Sequence, residues 1–153
     1  MTSKAGRFAA VYAVLTAAHE VGDYWAQQDK DAVAKGRPGP EGRLACAWHV
    51  GSYTAVGAVA LAAANRGLGI GLSWRRAAAA LAVSAGTHYL ADRAAGHWQE
   101  PEPTNLIVRL AHRTGSSQWL QRDPGAGPLL DQAWHKGWIA LAAAVAATSG
   151  SSR

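Results

Sequence analysis

Seven residues of this chain have the types and the spacing to hold a divalent metal ion. They are His19, Asp23, His49, His88, Asp92, Asp131 and His135. His19 with Asp23, His88 with Asp92, and Asp131 with His135 are each separated by one helical turn. Each pair therefore shares a helix face and can offer two ligands to one ion. His49 and His135 each sit in an Ala-Trp-His-x-Gly stretch, at 47–51 and 133–137. Imidazole and carboxylate are the usual ligands of Zn, Mn, Fe or Co. A bound ion lowers the pKa of its water and makes a nucleophile at neutral pH. A carboxylate left over from ligation then serves as general base. The expected roles are His19, Asp23, His49, His88 and His135 as metal ligands, with Asp92 and Asp131 as ligand or base. Four His and three Asp fit one ion with a surrounding shell, or two ions. No P-loop, dinucleotide fingerprint, serine elbow or HExxH motif is present.

These residues are spread over more than a hundred positions, so something must bring them together. Four apolar, alanine-rich segments predict an all-α fold with helices at about 8–26, 44–64, 74–95 and 128–148, in one domain. The histidines fall late, early, late and early in these segments. An up-down four-helix bundle puts them in one slab. At 1.5 Å per residue, His19 and His88 lie roughly 16 Å along their helices, and His49 and His135 roughly 20–24 Å from the far ends of theirs. Asp23, Asp92 and Asp131 lie a turn nearer the surface. The same groups could instead act as interhelical hydrogen-bond glue or line an ion pathway.

The connections follow from glycine and proline. Residues 36–42 read as a loop, and the glycines around 67–71 mark a tight hairpin between antiparallel neighbours. The stretch 96–127 reads as mostly loop. A short amphipathic helix interrupts it from Thr104 to Arg113, with Thr104 as N-cap and Leu106, Ile107 and Leu110 as its apolar stripe. His97 and His112 in this stretch read as solvated. The terminal Ser-Gly-Ser-Ser-Arg reads as a disordered tail. The two halves repeat the order His-x-x-x-Asp, loop, Ala-Trp-His-x-Gly, which suggests a duplication. Asp131 has no counterpart in the first half, where Ala45 stands.

Mean hydropathy is only -0.08 although 49% of residues are apolar. Alanine supplies most of the apolar count, and the charges gather at segment ends. The four segments are long enough to span a bilayer. Trp25, Trp48, Trp74, Trp98 and Trp134 fall near their ends, as an interfacial belt would. The net charge of +5 comes without a basic, aromatic-interleaved run, so no nucleic-acid partner is expected. The single cysteine, Cys46, excludes an intrachain disulfide. Lys4 and Arg7 precede an apolar run that continues into His19 and Asp23, so the N-terminus reads as a retained span.

The series His19, Asp23, Gln27 or Gln28, Lys30, His49, Tyr53, His88, Asp92, Asp131, Gln132 and His135 resembles a bacterial family of small multi-span membrane proteins of unknown function. It is similar in style to membrane-bound metal-dependent hydrolases. The resemblance covers the four segments and implies an integral protein of the bacterial inner (cytoplasmic) membrane with one shared polar site. The expected function is metal-dependent hydrolysis of a small-molecule or lipid-linked substrate. The alternatives are a non-enzymatic ion, proton or small-solute membrane protein, or a soluble helical binding module.

Overall fold

The computed structural model describes residues 2–148 and is all-helical over that range. The tail read as disordered, 149–153, lies outside the described residues. Helix α1 spans Lys4–Val21 and starts where the Ser3 side chain accepts from the Gly6 N–H. It runs on into one wide π turn, Gly22–Ala26. After a break come α2 (Asp29–Ala34), α3 (Gly39–Gly67) and α4 (Trp74–Asp92). Two short helices, α5 (Leu106–Ala111) and α6 (Ser117–Arg122), are joined by a π turn at His112–Ser116. Helix α7 (Ala126–Ala147) ends the described chain.

The four long helices close a ring in which α1 and α4 each pack against both α3 and α7. Their shared interior is small and apolar: Val11, Leu15, Leu61, Ile70, Ala80, Ile139, Ala142, Ala143 and Ala146 are buried together. Alanine at so many facing positions lets helices approach closely with little side-chain entropy lost. The 65–73 hairpin is tied shut by Asn65, whose Nδ2 donates to Leu72 O at 3.0 Å while its Oδ1 accepts from Leu72 N–H at 2.8 Å. Gly69 and Gly71 take positive φ of 61° and 71° there, which glycine adopts without steric cost. A second apolar cluster of Ala94, Trp98, Val108, Leu120 and Ala126 lies under the long connection.

Several boundaries differ from the sequence reading. Residues 39–42 are the first turn of α3 rather than loop. Pro40 fits there because the first-turn N–H groups have no intrahelical partner to lose. The polar stretch after residue 28 forms α2 instead of continuing a loop. Asn105, not Thr104, caps α5, its side chain accepting from the Ile107 and Val108 N–H groups. The buried residue of α5 is Val108, while Leu106 and Leu110 face outward at 75% and 50% exposure. Trp98 is buried in the second cluster rather than at a rim. Trp25, Trp48 and Trp74 are exposed.

Among the described residues one helix, Gly39–Leu68, is long and apolar enough to cross a membrane. The sequence reading expects four such spans. The other long helices are held below that level by their polar residues: Lys4, Arg7, His19 and Glu20 in α1, Arg75, Arg76, His88 and Asp92 in α4, and Asp131, Gln132, His135 and Lys136 in α7.

Candidate metal centre

At the end of the ring away from the 65–73 hairpin, the apolar core gives way to a buried layer of His19, His49, His88, His135 and Asp92, each no more than 3% exposed. Asp23 and Asp131 border it, their side chains 7% and 19% exposed. The fold thus brings all seven predicted residues to one level. The reason is directional: α1 and α4 arrive at this level late, α3 and α7 leave it early, and consecutive long helices run opposite ways.

Four atoms form the densest part of the layer. His49 Nε2 and His88 Nε2 are 2.9 Å apart. Asp92 Oδ2 lies 3.0 Å from the first and 3.2 Å from the second. Asp23 Oδ1 lies 3.5 Å and 3.3 Å from the same two nitrogens. Two Nε2 atoms facing each other at such a distance have room for one proton between them, yet two carboxylate oxygens also face them. Asp23 Oδ1 and Asp92 Oδ2 are buried and have no hydrogen-bond partner. They sit close to the imidazoles without the alignment of a hydrogen bond. Ligands of one ion show this pattern, because each aims at a common centre and not at its neighbour. Tetrahedral bonds of about 2.05 Å place neighbouring ligand atoms roughly 3.3 Å apart, and the distances of 2.9, 3.0 and 3.2 Å among His49 Nε2, His88 Nε2 and Asp92 Oδ2 lie close to that value. The donor set therefore fits a divalent ion, and His49, His88 and Asp92 together could hold one.

The surroundings fix these side chains. The His88 ring is sandwiched between Tyr53, centroids 4.0 Å apart, and His135, 4.1 Å apart. The Tyr53 hydroxyl meets Ser84 Oγ at 2.6 Å. Gly22 leaves room for Tyr53, since a Cβ there would lie 2.8 Å from its ring. Asp23 stands in the wide turn after α1; such π bulges often mark functional positions. His19 Nε2 lies 3.0 Å from Gln132 Oε1, and Gln132 Nε2 donates to Asp23 Oδ2 at 3.4 Å. His19 thus faces the second oxygen of Asp23 through Gln132, with a direct separation of 3.6 Å. His19, Asp23 and His88 form another group whose ligand atoms lie close enough for one ion.

His135 Nε2 lies 3.2 Å from Asp131 Oδ2 and 3.9 Å from Asp92 Oδ1. A cleft of about 330 Å³ opens over this side, with Lys35, Asp92, Trp98, Gln99 and Asp131 in its wall.

Lys35 belongs to the site although the sequence reading singles out Lys30, which is exposed. Lys35 Nζ lies 3.0 Å from Asp92 Oδ1. The step-of-four series of His19, Asp23 and Gln27 does not reach it, because the helix breaks at Gln27 and Gln28; the packing of α2 on α3 brings Lys35 in. Arg93 locks the segment carrying Lys35 in place. Its Nη1 donates to Lys35 O and its Nη2 to Arg37 O at 2.7 Å. Gly36 passes so close to α4's exit that a Cβ would lie 1.9 Å from Ala95 O.

His97 and His112 are outside the layer and are not free in solvent. His112 Nε2 meets Trp98 O at 3.2 Å. His97 meets Glu100 Oε1 at 2.6 Å through Nδ1 and Gly36 O at 2.9 Å through Nε2. Both partners are acceptors, so the doubly protonated ring suits this position. The Glu100 carboxylate, and then the Gly36 carbonyl, raise the His97 pKa above 6.5. Cys46 is buried one turn from His49, and its Sγ faces Tyr89 O at 3.7 Å.

Comparison with family models, with curated proteins and with solved structures finds no match for this chain.

Proposed function

We propose that this chain is a metal-dependent hydrolase built as a transmembrane four-helix bundle of a bacterial cytoplasmic membrane; the resemblance drawn from its sequence implies the membrane protein with one shared polar site, and the His/Asp ligand chemistry supports the hydrolysis. The observation that carries the reading is the crowding of His49 Nε2, His88 Nε2 and Asp92 Oδ2 with Asp23 Oδ1 beside them, the two carboxylate oxygens buried without a hydrogen-bond partner. Zn, Mn, Fe and Co all suit these ligands. Outward-facing Val21, Val59, Leu90 and Leu141 on the long helices, with exposed Trp25, Trp48 and Trp74, support contact with lipid.

In this reading the ion supplies an activated water at neutral pH. The rest is the work of side chains. Asp131 borders the cleft, placed to serve as ligand or general base. Lys35 fixes Asp92 from the cleft side. His19 and Gln132 orient Asp23 from below, as outer groups do around metal ligands. A substrate head group enters through the cleft beside Trp98 and Gln99. The substrate class is a phosphoester or lipid-linked compound.

The test is metal content after gentle purification, with His88→Ala and Asp92→Asn beside the parent. The expected result is bound metal in the parent, its loss in both variants, and hydrolysis that disappears with it. Metal-free parent protein that keeps its fold in chelator would refute the metal centre. Release into buffer without detergent would refute the membrane assignment. Full metal occupancy without turnover on phosphoester or lipid-linked substrates would leave the centre and sink the hydrolase.

A further inference from the structure

We infer that the site takes a second divalent cation, held by Asp131, His135 and the outer oxygen of Asp92, with Asp92 bridging the two ions. This rests on the metal centre proposed above and extends it. Asp92 presents its two oxygens to different partners: Oδ2 to His49 and His88, Oδ1 toward His135 and Lys35. One carboxylate with both oxygens turned to potential ligand sets is the arrangement of paired-metal sites, where two ions share a bridging group.

Two further observations point to the second position. His135 is 3% exposed, and its Nε2 has no hydrogen-bond partner even though Asp131 Oδ2 is 3.2 Å away. A simple His–Asp ion pair at that distance would align its N–H with the oxygen. The misalignment recurs at the first position and has the same explanation, two ligands aimed at a common point. Asp92, Asp131 and His135 also bring their ligand atoms close enough for one ion. The second observation is access. Asp92 and Asp131 line the cleft, whereas His49 and His88 lie beneath it. The second ion therefore faces the incoming substrate, and the first lies deeper.

Charge makes the two positions unequal. Asp23 and Asp92 offset one divalent ion. At the second position the ion competes with the Lys35 ammonium, 3.0 Å from the Asp92 Oδ1 it needs. Like charges this close oppose each other. The second ion accordingly binds more weakly, and Lys35 sets how much more weakly.

The experiment is a cobalt(II) titration of the purified full-length chain, followed by visible absorbance and by equilibrium dialysis. The expected parent result is two equivalents in two steps. Asp131→Asn should remove the second step and keep the first. Lys35→Met should tighten the second step about tenfold or more, with the first changed less. Thermal unfolding of each apo variant separates site loss from misfolding. A parent that saturates at one equivalent overturns the second position and leaves the first standing. Two equivalents that survive Asp131→Asn unchanged also overturn it. No cobalt at all would remove the centre on which both rest.

Discussion

Near the 65–73 hairpin the four long helices meet through Leu15, Leu61, Ile139 and a set of alanines. A few turns further on, the same helices meet through four histidines and three aspartates. The first region is neutral and self-sufficient. Its apolar side chains contribute dispersion and area removed from solvent, and none of them needs a particular partner. The second is charged: buried carboxylate oxygens lie beside imidazoles without a hydrogen-bond partner, and its His and Asp groups could hold a metal ion. Two regions built on one set of helices thus have separable purposes: one holds the helices at the right distance, and the other uses that distance. Mutations should therefore divide the same way, between those that empty the site and those that loosen the frame.

The largest expected effect lies in the polar layer. His49→Ala or His88→Ala should lower bound metal at least tenfold, measured by elemental analysis, while helix content by circular dichroism stays near the parent. If either variant keeps its metal, the two regions do not separate as described. In the apolar region, Leu61→Ala should cost about 2–5 kcal/mol of stability, read from thermal unfolding in micelles, with metal stoichiometry retained. Gly36→Ala tests the frame where it touches the site. The added Cβ meets Ala95 O, so a loss of about 1–3 kcal/mol is expected, together with weaker second-ion binding as Lys35 shifts. Asn65→Ala should cost about 1 kcal/mol by opening the hairpin bonds, without changing metal binding. The smallest effect concerns His97. Its folded pKa is raised above the unfolded value near 6.5, so the stabilisation is fully present below that value and is lost as pH rises through the folded one. Unfolding temperature should therefore fall slightly over that interval in the parent, and His97→Gln should flatten the change.

Legibility in the sequence follows the same division. The spacing of His19 with Asp23, and of His88 with Asp92, puts paired ligands on single helix faces whatever surrounds them. Alanine-rich runs broken by glycine and proline gave the four long helices, and the alternation of histidine late and early implied their convergence. Local cues misled where tertiary contact overrode them. Pro40 looked like a loop residue and is a helix start. The polar residues after Gln28 belong to none of the predicted segments and form α2, which lies on α3 and delivers Lys35 to Asp92. Leu106 and Leu110 share the apolar stripe of α5 but face outward, and the second cluster takes Val108 instead.

Residue type and helical period, by themselves, determined the secondary structure of the long segments and the membership of the polar layer. Both depend on intervals within one helix, which the covalent chain fixes. The tertiary structure alone decided which oxygen of Asp92 faces the histidines, that Gln132 stands between His19 and Asp23, and that Lys35 rather than Lys30 reaches the site. Those choices depend on how helices far apart in sequence rotate and approach each other, and no spacing along the chain records a rotation.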